Sequence, residues 1–99
     1  MADTTTVRVR VTQDDIDAGV RCDCVRCPVA LALMRAVPGC REALVDCARF
    51  DMDMVDGPNL YDVPLPIEVV NAIADFDTGA GMSPFEFDLT LPTTEAAHG

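Results

Sequence analysis

The chain has 99 residues, which is one domain with one modest core, since a chain of this size buries roughly 60 to 70% of its unfolded surface. Hydrophobic residues make up 49% and charged residues 24%, which excludes a disordered chain. Seventeen acidic residues stand against seven arginines and no lysine, a net charge of −10. That excludes sequence-independent nucleic-acid binding, because phosphate neutralisation needs a clustered basic face. The acidity leaves a basic protein partner open, reached by electrostatic steering.

Five cysteines is an odd number, and the opening MADTTTV has neither the basic nor the apolar part of an export signal. The expectation is a cytoplasmic chain with free or metal-bound thiols rather than a disulfide scaffold. No apolar run approaches the ~20 residues of a membrane span, so no membrane association is expected.

Residues 1–6 are polar and are expected to be a disordered N-terminus. Val7-Arg8-Val9-Arg10-Val11 alternates between apolar and charged, which predicts a half-buried strand. Thr12 and Asp15 have the spacing of a reciprocal N-terminal cap, with Asp in place of the usual Glu or Gln. They predict a short helix that Gly19 ends, anchored by Ile16. Cys22, Cys24 and Cys27 follow in a loop. Pro28 suits a first helical position, where its missing N–H is not needed. A helix over about residues 28–37 follows, apolar nearly all round, with Pro38-Gly39 as its stop. Such a helix must be covered on more than one side.

Arg41-Glu42-Ala43-Leu44 predicts a further helical turn, and Phe50-Asp51-Met52-Asp53-Met54 a second strand. The alternation slips over residues 47–49, which predicts a bulge or break there. Residues 56–64 are assigned to a loop. Pro66 opens a second main helix over about residues 66–77, with Val69, Ile73 and Phe76 as its apolar stripe. Phe85 to Leu91 alternates again and predicts a third strand. Residues 93–99 are expected to be a flexible tail, so the domain spans 7–92. The lone His98 falls in that tail.

The fold expected is α+β: a three-stranded sheet packed against two main helices, in the order β-α-α-β-α-β. Each strand has an apolar and a charged face. Opposite charges on neighbouring strands stabilise by about 0.2 to 1 kcal/mol, and like charges do the reverse. The strand with Arg8 and Arg10 is therefore expected in the middle, between Asp51/Asp53 and Glu86/Asp88. These six residues are the candidate binding surface.

The cysteines are the candidate chemistry. Thiolates suit zinc, and Cys24 and Cys27 have the two-residue spacing of a zinc knuckle. With Cys22 they offer three ligands, and Cys40 or Cys47 could supply a fourth; Cys40 is the one assigned. A second possibility is redox, since Cys27 sits where a helix dipole lowers a thiol pKa. The loop does not follow directly on a core strand, unlike a thioredoxin-like motif. The plainest role is structural, with Cys27 capping the helix and the others filling space. Paired carboxylates are not joined by a histidine or lysine, and Ser83 lies in no nucleophile motif. There is no positive case for an enzyme and none for a cofactor other than zinc.

Residues 12–19 (TQDDIDAG), 27–32 (CPVALA), 76–79 (FDTG) and 84–87 (PFEF) carry a resemblance. The chain resembles small proteins encoded by actinobacterial phages and mobile elements. The all-arginine basic usage fits the same GC-rich source. The pattern includes Cys24, Cys27 and Pro28, but not Cys22, Cys40 or Cys47. The resemblance implies no activity. It implies an accessory role inside a bacterial cell. The leading expectation is thus a non-enzymatic accessory protein that binds a host protein, acting as a nucleic-acid mimic. A zinc-stabilised module and a CxxC thiol oxidoreductase are the alternatives. Self-association is also open, through an unpaired strand edge.

Overall fold

The computed structural model describes residues 4–55 and 58–92. The elements run β1 (Thr4–Val11), α1 (Gln13–Ala18), α2 (Pro28–Ala36), β2 (Cys40–Asp46), β3 (Arg49–Met54), β4 (Leu60–Pro64), α3 (Ile67–Asp77) and β5 (Phe85–Pro92). The class is α+β, and both main helices lie where their spacing puts them.

The single sheet centred on β1 is corrected. There are two sheets, a pair β1-β5 and a triplet β2-β3-β4, all antiparallel. The pairing of β1 with β5 is as the charges require: Arg8 faces Asp88, Arg10 faces Glu86, and Val9 faces Phe87. The pairing of β1 with the acidic strand β3 does not occur. Both edges of β3 are taken by sequence neighbours, β2 and β4. Short connections close such hairpins at little entropic cost, and with both neighbours in place β3 has no free edge for β1.

Two strands occupy segments expected to be helix or loop. Glu42, Ala43 and Leu44 are good helix formers, yet Ala43 and Val45 point inward and Glu42, Leu44 and Asp46 outward, as in a strand. A register shift between Cys40 and Glu42 accommodates Arg41 as a bulge. In β4 the alternation is broken by Asp62, whose φ is +54°. The slip over residues 47–49 is the β2–β3 hairpin turn, with Asp46 opposite Arg49. The expected N-terminal disorder is also cut back. β1 begins at Thr4, because β5 runs on far enough for Thr5 and Thr6 to pair with Leu91 and Thr90. Residues 1–3, 56–57 and 93–99, and with them the flexible tail and His98, lie outside the described residues.

Helix α2 joins the two sheets, packing on both β1 and β2. That explains its all-round apolarity: Val29, Ala30, Ala32 and Leu33 are fully buried. One continuous core results, running from Val9 and Leu89 in one sheet to Ala43 and Phe50 in the other. Helix α3 turns Val69, Ile73 and Phe76 inward. Helix α1 is capped as its sequence predicts. The Thr12 hydroxyl accepts from the Asp15 N–H at 3.2 Å, and the Asp15 carboxylate accepts from the Thr12 N–H at 2.9 Å. The loop after α1 passes close over α2, and a Cβ at Gly19 would lie 2.6 Å from the Pro28 ring. Among the described residues no helix is long and apolar enough to cross a membrane.

Candidate functional site

The six charged residues expected to form one surface are divided between the two sheets. Arg8, Arg10, Glu86 and Asp88 come together on β1-β5 and neutralise one another. Arg8 Nε lies 2.9 Å from Glu86 Oε1, Arg8 Nη1 2.9 Å from Asp88 Oδ1, and Arg10 Nε 3.2 Å from Glu86 Oε2. Hydrogen bonding from Arg8, with the field of Arg10, holds the Glu86 carboxyl below its ordinary range. Two arginines meet two carboxylates on these strands, so the face carries no net charge.

Asp51 and Asp53 lie on β3, in the other sheet, and their surroundings are different. Strands β2, β3 and β4 together hold five carboxylates and two arginines. Glu42 stands directly opposite Asp53, a like-charge pair across the ladder. Such a pair costs stability, by about 0.2 to 1 kcal/mol. Arg41 approaches Asp53 only to 3.8 Å, and the Arg49 guanidinium donates to the Asp62 carbonyl at 3.2 Å. Asp51 accepts from the Asp62 N–H at 2.8 Å, which anchors the β4 bulge. Within this acidic surround Leu44 is 41% and Tyr61 70% exposed. Glu42, Leu44, Asp51, Asp53 and Tyr61 line a hollow of about 340 Å³. Glu42, Leu44 and Tyr61 are additions to the predicted surface. The alternation Glu42-Ala43-Leu44-Val45-Asp46 was the available signal, masked by its helix-forming residues.

The cysteine loop takes its place through three backbone anchors. The Val45 N–H donates to the Cys24 carbonyl at 2.8 Å, tying the loop to β2. The Cys22 N–H donates to Asp77 at 2.9 Å, tying it to the end of α3. Asp23 accepts from the N–H groups of Val25 and Arg26, both at 2.9 Å. Cys27 is the N-cap of α2, its sulfur accepting from the Ala30 N–H at 3.4 Å. Cys22, Cys24, Cys27 and Cys47 line one cleft of about 270 Å³.

The assignment of Cys40 to this cluster is corrected. Cys40 starts β2, whereas Cys47 follows its end. At ~3.3 Å per residue, a strand of that length separates the two positions by about 20 Å. Among the described residues, no three Cys, His, Asp or Glu side chains already stand in positions to hold a metal ion. Burial pushes the Cys27 thiol up, and the nearby Asp77 and Cys24 add to this against the Ala30 and Val29 N–H groups. A reactive thiol needs the opposite shift, so burial disfavours Cys27 itself as a nucleophile.

No family model, no curated protein and no solved structure matches this chain. Its chemistry rests on the residues themselves, and two regions stand out: the acidic face of β2-β3-β4 and the four-cysteine cleft.

One further ionic contact proves structural. Asp15 is 5% exposed and receives Arg35 Nη1 at 2.7 Å and Nη2 at 2.6 Å. Arg35 Nη2 also donates to the Arg10 carbonyl at 2.8 Å. The one charged residue of α2 thus clamps α1 and the end of β1 together.

Proposed function

We propose that this protein is a non-enzymatic binding module whose acidic β2-β3-β4 face docks a basic protein surface. Such a surface normally takes nucleic acid, so the module acts as a nucleic-acid mimic. The observation that carries this reading is Glu42 opposite Asp53 in a field of five carboxylates and two arginines. A fold that neutralises its charges on β1-β5 leaves carboxylates in excess here, at a cost to its own stability. A cationic partner removes that cost on binding. Exposed Leu44 and Tyr61 supply an apolar centre inside the charged rim.

The resemblance carried by residues 12–19, 27–32, 76–79 and 84–87 supports the setting: an accessory protein of an actinobacterial phage or mobile element, acting on a protein of the bacterial cytoplasm. The test is capture of partners from an actinobacterial lysate across a salt series. Between about 0.01 and 1 M salt the Debye length falls from about 30 to 3 Å. A captured protein should be basic, should bind DNA, and should be lost over that range. Binding that is unchanged by salt would overturn the reading.

A further inference from the structure

Carboxylates by themselves attract any cation, but the middle of the β2-β3-β4 face also holds groups that suit one kind. The strand register sets them in two rows. In the first row Leu44 of β2 stands opposite Asp51 of β3. On the other side of Asp51 the ladder passes from Met52–Leu60 to Phe50–Val63, so Tyr61 and Asp62 of β4 lie opposite it. In the second row Glu42 stands opposite Asp53. Both rows line the same hollow of about 340 Å³.

Two features of this hollow discriminate among cations. First, Tyr61 is the most exposed aromatic ring of the face, and it stands beside carboxylates rather than against the core. Asn59 keeps it in place: its amide oxygen accepts from the Met54 N–H at 2.9 Å, and its Nδ2 lies 3.5 Å from the Tyr61 hydroxyl. An aromatic face attracts a cation within about 6 Å of its centre. Second, the carboxylates keep acceptor capacity. Asp51 gives one oxygen to the Asp62 N–H, and Glu42 enters no ion pair among the described residues.

We propose that this hollow takes an arginine side chain of the partner, with its guanidinium stacked on Tyr61 and donating to Asp51 and Asp53. A guanidinium is planar and weakly hydrated. It stacks on a ring and sends its N–H groups sideways to carboxylates at the same time. A lysine ammonium is a compact, strongly hydrated charge and gains mainly from the carboxylates. The exposed Leu44 covers the methylenes of the same side chain. The inference rests on the docking reading and adds to it the residue that is recognised: arginine is favoured where protein surfaces hold phosphate.

The probes are blocked hexapeptides of arginine and of lysine, equal in charge, titrated into the full chain with backbone amide shifts as the readout. Both should bind at low salt, hexa-arginine about three- to fivefold more tightly, with the largest shifts at Leu44, Asp51 and Tyr61. Tyr61→Leu, at an exposed position, should bring hexa-arginine down to the affinity of hexalysine. Tyr61→Phe, which keeps the ring, should preserve the preference. Equal affinities for the two peptides in the wild type would overturn the inference and leave the docking reading standing. So would a preference that survives in the folded Tyr61→Leu variant. Binding of neither peptide would overturn both.

Discussion

Leu33→Ala should cost about 3 kcal/mol of stability, the middle of the range for truncating a fully buried leucine. Leu33 is 0% exposed and sits on the helix that joins the two sheets. Truncation leaves a void that β1 and β2 cannot both close, because each is fixed by its own sheet partners. Against a typical total of ~5–15 kcal/mol, the loss is a large share of the whole. Each kcal/mol lowers the melting temperature of a domain of this size by roughly 4–8 °C. The melting temperature should therefore fall by about 15 °C. Leu31→Ala on the same helix is the comparison, and its half-buried side chain should cost less than half as much. Equal losses would mean that α2 does not bridge two separate layers.

Asp15→Asn should cost about 2 kcal/mol, since hydrogen bonds to charged groups contribute about 1.5–3 kcal/mol. Its carboxylate serves the α1 cap and Arg35 at once. The part due to Arg35 is held to the lower end, because that side chain is 53% exposed and screened by solvent. The same group makes stability depend on pH. Burial raises the Asp15 pKa, but the Arg35 and Thr12 donors outweigh it and the net shift is downward. A carboxyl with a depressed folded pKa contributes its full stability above the unfolded value of ~3.9 and loses it as pH falls through the folded value. Urea midpoints of wild type and Asp15→Asn should therefore stay apart from pH 7 to about 5 and converge below about 4. A gap that is constant down to the most acidic folded conditions would show that the Asp15 charge contributes nothing.

The elements that are plain in the sequence are those whose signals are local. Alternation in Val7–Val11 and Phe85–Leu91, the Thr12/Asp15 cap, and the Pro28 and Pro66 helix starts all depend on neighbours within a few residues. Charge complementarity gave β1 its partner β5, because Arg8 and Arg10 find Glu86 and Asp88 across a long uninterrupted ladder. The same logic misassigned β3. It assumed that every acidic strand seeks a basic one, whereas Asp53 stands opposite Glu42. Strand β2 was hidden because Glu42, Ala43 and Leu44 favour a helix, and only long-range pairing makes them a strand. Strand β4 was hidden by Asp62, whose left-handed backbone breaks the period. The choice between Cys40 and Cys47 could not be made from spacing, because it depends on which end of an unrecognised strand meets the loop.

The direct test of the acidic face is capture from lysate with the wild type and with Glu42→Gln/Asp53→Asn, alongside Glu86→Gln/Asp88→Asn. Removing the Glu42–Asp53 repulsion should stabilise the fold by a few tenths of a kcal/mol while abolishing retention of the salt-sensitive basic partner. The β5 variant should retain it. A face variant that is more stable and binds no less well would contradict the account, because the excess negative charge would then serve no partner.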